Sequence, residues 1–360
     1  MTQTEFIPNT EAPAAPPADQ KSVYVIFNPV SGKSDPEERK KIISDALAAH
    51  GYTCQFIATT REQGAKACAE EALAQGADLL AVSGGDGTVM EAMSALVGKD
   101  TPIAVFPAGT GNLLSINLGI PTVVPDAVDV ALGGHKYALD LARTGDGRYF
   151  AIMGGLGMDA QMIADADREA KDKLGKLAYF WAALKNLPRR RARVEITLDD
   201  KRPFQRRVKS VLIANMGKIT GGIDAMPTAS PNDGLLDVGI LKAATLGHWA
   251  SLVGNALLGR AHQDRSLEVY QARKVTVRPR RPQPIEFDGE DAGRTRELTV
   301  EIVPHAVQVL IPEDAPGAQE AQDLPPAAVA ERTAKRRLLL PLALLLLAVG
   351  AALLWRRRKS

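Results

Sequence analysis

Between residues 23 and 106 the apolar positions fall into a repeating rhythm. Val23-Tyr24-Val25-Ile26-Phe27 is a β-branched and aromatic run suited to a buried strand. Ser34 and Glu37 then form a capping box around Pro36, and apolar residues recur at Ile42, Ile43, Ala46 and Leu47 with helical spacing. Residues 54–59 predict a strand, 62–75 an Ala-rich helix, 78–83 a strand, 88–97 a helix and 102–106 a strand. Strands alternating with helices imply an α/β fold: a doubly wound, mostly parallel sheet with helices on both faces.

After about Asp140 the rhythm changes. Short apolar runs at 148–153, 193–198, 208–214, 236–241, 274–277 and 298–303 are separated by Gly, Pro and Asp turns, with one helical stretch at 165–187. These predict an antiparallel β-sandwich. The expected organisation is a disordered leader over 1–21, an α/β domain over 22–140 and a sandwich domain over 141–312, with a linker over 313–334. The final segment of the sandwich has the option of returning to the first domain. Residues 338–355 carry no charge and are flanked by Lys335-Arg336-Arg337 and Arg356-Arg357-Arg358-Lys359. At about 1.5 Å per residue that run is just long enough for a ~30 Å hydrocarbon core, so a single C-terminal membrane helix is expected. Basic clusters at both ends leave its orientation open.

Composition changes the picture only by exclusion. The chain has 360 residues, 45% hydrophobic and 24% charged, with a net charge of +2, so it is globular and not strongly basic overall. Two cysteines, Cys54 and Cys68, are too few for a disulfide framework, and the five histidines lack ligand spacing. No charged and apolar secretory leader opens the chain, so membrane-anchored catalytic domains in the cytoplasm are the expectation.

Candidate chemistry sits at the strand ends. The strand at 78–83 runs into Gly84-Gly85-Asp86-Gly87-Thr88 and at once into a helix. Glycines let backbone approach a phosphate, and a helix N-terminus offers N–H groups and positive dipole. Asp86 is repelled by phosphate unless a cation intervenes, which places it to hold Mg²⁺ through water. Pro107-Ala108-Gly109-Thr110-Gly111-Asn112 follows the strand at 102–106, and Asn28-Pro29-Val30-Ser31-Gly32-Lys33 follows the first strand. Neither loop is a Walker A sequence, and the first junction lacks G-x-G-x-x-G. Three such loops at the C-terminal ends of parallel strands point to one phosphate-bearing ligand.

The set N-P-x-S-G-K, G-G-D-G-T-x-x-E and P-x-G-T-G-N, in this order, resembles the diacylglycerol kinase catalytic domain family, which includes bacterial lipid kinases, sphingosine kinases and ceramide kinases. The likeness spans about Val23 to Pro312 and includes Gly155-Leu156-Gly157-Met158-Asp159-Ala160, Asn232-Asp233-Gly234-Leu235-Leu236-Asp237 and Phe287-Asp288-Gly289-Glu290. G-G-D-G-T alone also occurs in NAD kinases and phosphofructokinases. The resemblance implies a phosphofructokinase/NAD-kinase-like first domain and an ATP- and Mg²⁺-dependent lipid kinase. It implies nucleotide contacts at Asn28, Pro29, Ser31, Gly32, Thr59, Gly84, Gly85, Gly87, Thr88, Glu91, Gly109, Thr110, Gly111 and Asn112. It assigns Glu290 as general base with Asp288 beside it, and Asp86 as organiser of magnesium and water at the phosphates. A structural Mg²⁺ would use Asp233, helped by carbonyls near Ser230 and Leu235. Asp159 lies where it could orient the acceptor hydroxyl. Many diacylglycerol kinases follow G-T-G-N with Asp, whereas Leu113 and Leu114 follow here, which leaves room for a sphingoid base or ceramide.

Basic runs at residues 189–193, 201–202, 206–207 and 278–281 are solvated faces or, if they converge, an anionic-lipid surface. No aromatic interleaving supports nucleic acid. The expected partners are a lipid alcohol substrate and the membrane, and a homodimer is left open. The competing readings are a kinase for NAD or a sugar phosphate and a non-catalytic membrane-attached lipid-binding regulator.

Overall fold

The computed structural model describes residues 22–32, 34–157, 191–219, 223–242 and 266–315. Strand β1 (Ser22–Phe27) leads to helix α1 (Pro36–Ala49), then β2 (Thr53–Ala58), α2 (Ala65–Ala74), β3 (Leu80–Gly84), α3 (Asp86–Leu96) and β4 (Ile103–Pro107). Two further helices, α4 (Leu113–Leu118) and α5 (Val124–Gly133), precede a long strand, β5 (His135–Thr144). Then come β6 (Tyr149–Phe150), β7 (Met153–Leu156), β8 (Ala192–Leu198), β9 (Phe204–Val208) and β10 (Ser210–Ala214). A small hairpin of β11 (Lys218–Ile219) and β12 (Ile223–Asp224) is followed by β13 (Leu236–Leu241), β14 (Leu267–Ala272), β15 (Lys274–Pro279), β16 (Gln283–Phe287), β17 (Glu290–Thr295) and β18 (Leu298–Ile311).

Strands β1 to β4 pair in parallel in the order β2-β1-β3-β4. Strands β3 and β4 are buried on both faces, which is why they read as unbroken apolar runs. One face packs Val23, Val25 and Phe27 against Ile43 and Leu47 of α1 and Val128 of α5. The other packs Ile26, Leu80 and Val82 against Ala69 of α2 and Met93 of α3. The strand order reverses between β1 and β3, so their C-terminal ends flank the crevice where open α/β sheets bind ligands.

The sheet does not stop at β4. Strand β18 meets β4 in parallel at Val309–Ile103, and further back it pairs antiparallel with β15, which continues into β8 and β9. A second, antiparallel sheet, β14-β13-β10-β7-β16-β17, stacks on this extension through Leu156, Ile196, Val211, Val238, Val275 and Val300. The α/β sheet and the antiparallel β-sandwich expected from the sequence are both present.

The membrane helix is a correction. Among the described residues no helix is long and apolar enough to cross a membrane. The longest, α1, has 14 residues, about 21 Å against the ~30 Å required. Residues 338–355, and the helix expected at 165–187, lie outside the described residues.

Local boundaries moved for identifiable reasons. Helix α1 is capped by Asp35, whose Oδ1 accepts from Glu37 N and Glu38 N, both at 3.0 Å, because Pro36 occupies the first turn and makes its predecessor the cap. The run expected at 148–153 is split into β6 and β7, because the backbone N–H groups of Ala151, Ile152 and Met153 bond a carboxylate instead of a ladder.

Candidate active site

The three glycine loops interlock. Asn28 Nδ2 donates to Thr88 Oγ1 at 2.8 Å, tying the loop after β1 to the first turn of α3. Ala108 N donates to Gly84 O at 2.9 Å. A Cβ at Gly109 would stand 2.7 Å from Gly85 Cα, and one at Gly32 (φ +83°) would stand 2.6 Å from Ala108 O. Only glycine permits these approaches. Asn112 adopts a left-handed φ of +48° and accepts from Gly109 N at 2.8 Å, closing the third loop. Asn28, Pro29, Ser31, Gly32, Gly84, Gly85, Gly87, Thr88, Gly109, Thr110, Gly111 and Asn112 therefore lie on three packed loops, with Thr110 at an exposed tip. Thr59 follows β2, its N–H bonded to Phe27 O at 2.9 Å.

Asp86 opens α3, where an acidic side chain meets the helix dipole favourably. Its Oδ1 accepts from Leu114 N at 3.1 Å, which also caps α4, and Oδ2 faces Gly111. Among the described residues, one oxygen is thus committed and the other accepts no hydrogen bond. Glu91 has a local task as well. Its Oε2 accepts from Ala65 N at 2.9 Å and caps α2, whose own N-cap, Gly64, has no side chain.

The hairpin β16–β17 brings Glu290 to the same place. Its exposed carboxylate rests against Gly87, in the first turn of α3. Asp288 is held differently. It accepts from Ala151 N at 2.8 Å and from Ile152 N and Met153 N at 2.9 Å, and its own N–H donates to Met153 O at 2.8 Å. Burial pushes its pKa up to about 6, the three N–H bonds oppose that shift, and Asp86 adds to it. With both oxygens saturated by backbone donors, Asp288 fixes the hairpin turn, where Asp288 and Gly289 both have positive φ (+49° and +88°). Beside this turn lies a cleft of about 390 Å³. Lys66, Met90 and Glu91 line one wall, and Arg148, Tyr149 and Glu290 the other.

The Asp233 turn forms a separate acidic centre. Asp233 Oδ1 accepts from Leu235 N at 2.9 Å, and Ser230 Oγ bonds Asn232 Oδ1 at 3.1 Å. Burial first, then the charges of Asp237 and Asp140, push the Asp233 pKa up to about 6. Asp140 accepts from Gly234 N and His305 N, both at 2.7 Å. Among the described residues no group of three or more His, Cys, Asp or Glu side chains is placed to hold a metal. Asp233 itself is half-buried. Asp159 lies outside the described residues. Of the basic runs, Arg193 and Arg207 face each other across β8 and β9, while Arg206 bonds Glu268 and Arg278 bonds Glu297, each at 3.0 Å.

One residue escaped the sequence reading. Arg39 donates from Nη2 to Asn28 O at 2.5 Å and from Nη1 to Ser31 O, bracing the first loop from below. Its signal was visible as an Arg on the buried stripe of α1 with Ile43 and Leu47.

Comparison with known proteins bears on the family and the fold. Residues 22–144 match the diacylglycerol kinase catalytic domain, and 153–311 match the YegS C-terminal NAD kinase beta sandwich-like domain. A diacylglycerol kinase of Bacillus subtilis (strain 168) is 30% identical over 298 residues, covering 82% of this chain and 97% of that protein. A diacylglycerol kinase of Staphylococcus saprophyticus is 26% identical over 301 residues, covering 82% and 97%. The crystal structure of a diacylglycerol kinase from Bacillus anthracis str. Sterne has a TM-score of 0.64 at 21% identity, covering 82% and 98%. Another chain from that organism reaches 0.70 at 23%, covering 83% and 100%, and both show the fold. The chain belongs to the diacylglycerol kinase family and is a lipid kinase, a phosphotransferase with an alcohol group as acceptor.

Proposed function

We propose that the protein transfers the γ-phosphate of ATP, in the presence of Mg²⁺, to the hydroxyl of diacylglycerol. The observation that carries this reading is the meeting of Glu290 with the N-terminus of α3, where three interlocked glycine loops converge. Loop N–H groups and the dipole of α3 bind and orient the polyphosphate. Glu290, exposed at the edge of the 390 Å³ cleft, takes the proton of the acceptor hydroxyl as it attacks phosphorus. Phosphoryl transfer is chiefly positioning and charge neutralisation, so a rigid cradle and one mobile carboxylate suffice for the protein's share. Bound Mg²⁺ would neutralise phosphate charge, and the available Oδ2 of Asp86 would hold it through water. A second, structural Mg²⁺ would be held by Asp233 with the carbonyls of Ser230 and Leu235, relieving the excess negative charge of that turn.

Leu113, at the position where many family members carry Asp, favours a sphingoid base or ceramide as the second reading. The test is incubation of the protein with labelled ATP and detergent-dispersed diacylglycerol, sphingosine or ceramide, with and without Mg²⁺. Mg²⁺-dependent label in phosphatidic acid alone is expected. Label only in a sphingoid product selects the second reading, and no labelled lipid from any acceptor overturns both.

A further inference from the structure

Arg39 is a charged residue on an apolar stripe. It shares the buried face of α1 with Ile43 and Leu47 and is 4% exposed. Its guanidinium lies 4.5 Å from the Phe27 ring centroid and donates to the carbonyls of Asn28 and Ser31, while Nε has no partner among the described residues. Burial pushes its pKa down, and among the described residues no acidic neighbour holds it up. Asp35, four residues earlier, spends its carboxylate on the cap of α1. A buried cation without a counter-ion is costly, and such a charge persists where something supplies the opposite sign.

The loop above it shows what that is. A trans peptide points its N–H opposite its carbonyl, and no cis bonds occur among the described residues. Drawing the Ser31 carbonyl towards α1 therefore turns the Gly32 N–H away from it. A Cβ at Gly32 would stand 3.2 Å from Arg39 Nη1, so the guanidinium lies directly beneath the loop.

Resting on the ATP reading above, we infer that Arg39 is a positioning residue of the phosphate site. It fixes the Asn28–Gly32 loop in its anion-binding shape, and the phosphates of ATP on the loop's other side balance its charge.

The experiment compares wild type, Arg39→Met and Arg39→Lys for binding of Mg·ATP, Mg·tripolyphosphate and adenosine by calorimetry, with thermal melting as the check on folding. Arg39→Met should weaken ATP and tripolyphosphate roughly tenfold or more, as loss of a nearby unit charge in a partly desolvated site implies. Adenosine affinity and the KM for lipid should stay within about twofold. Arg39→Lys keeps the charge without the planar fork and should fall between the two. A folded Arg39→Met that binds ATP and tripolyphosphate as wild type does overturns the inference, and so does equal weakening of all three ligands. Should Arg39→Met not fold, unchanged ATP affinity in Arg39→Lys overturns it. Wild-type enzyme that binds tripolyphosphate but not ATP would sink the ATP reading; with the Arg39 variants still weakening tripolyphosphate, that outcome supports the inference.

Discussion

The carboxylate of Glu290 rests against Gly87, so that a β-carbon at residue 87 would occupy the space of Glu290 Oε1. These residues lie some two hundred positions apart, one in the first turn of α3 and the other at the start of β17. Gly87→Ala therefore separates two effects. Alanine is the better helix former by about 0.5–1 kcal/mol, so stability should hold or rise. The colliding atom is the end of a flexible side chain, so Glu290 should swing away and kcat should fall roughly tenfold or more. Melting temperature and kcat measured together check this; unchanged kcat would show that Glu290 works from elsewhere.

Glu290→Gln should fold normally and lose on the order of 10²–10⁴ in kcat, the range of general-base catalysis. Asp288→Ala should behave differently. It strands the N–H groups of Ala151, Ile152 and Met153, which predicts a loss on the order of 2–4 kcal/mol in denaturant unfolding together with a lower kcat. A stable, inactive Asp288→Ala would mark Asp288 as a participant in the chemistry.

Glu91→Gln keeps an oxygen to cap Ala65 N, whereas Glu91→Ala removes it. The Ala variant should lose about 1 kcal/mol, as helix-cap deletions do, and the Gln variant much less. If Glu91 also contacts the nucleotide, both variants should raise the KM for ATP. Unchanged KM in both would restrict Glu91 to the cap.

The parts of this site that were legible in sequence are those built from local signals. Strands β3 and β4 are buried along their whole length and read as apolar runs, and glycine loops follow β1, β3 and β4 directly. Strand β17, Glu290–Thr295, alternates nothing: its sequence EDAGRT is nearly all polar and largely exposed, so only its partner β16 reveals it. The continuity of the sheet rests on β18, whose two ends pair with β15 and β4, and no spacing rule encodes such a long-range choice. Asp288 was legible as part of a motif but not as a turn-fixing group, because its three donors come from about 136 residues away. Arg39 shows the converse: the stripe was readable, but a charge on it invites dismissal until the loop carbonyls are seen above it.

Glu286 makes the pH dependence of stability testable. It is 4% exposed, and burial, with the charge of Asp288 adding to it, pushes its pKa from 4.5 up to about 7. The folded chain thus holds a proton that the unfolded chain has already lost between about pH 4.5 and 7. Stability from this group is complete below pH 4.5, falls as the pH rises, and is gone above about 7. Asp288, raised to about 6, pulls in the same direction over about pH 4 to 6. Glu286→Gln removes the larger effect without changing size. It should match wild type in urea unfolding at pH 4 and exceed it at pH 8 by on the order of 2 kcal/mol. Equal stability of the two proteins at pH 8 would mean that Glu286 ionises in the folded chain as readily as in water.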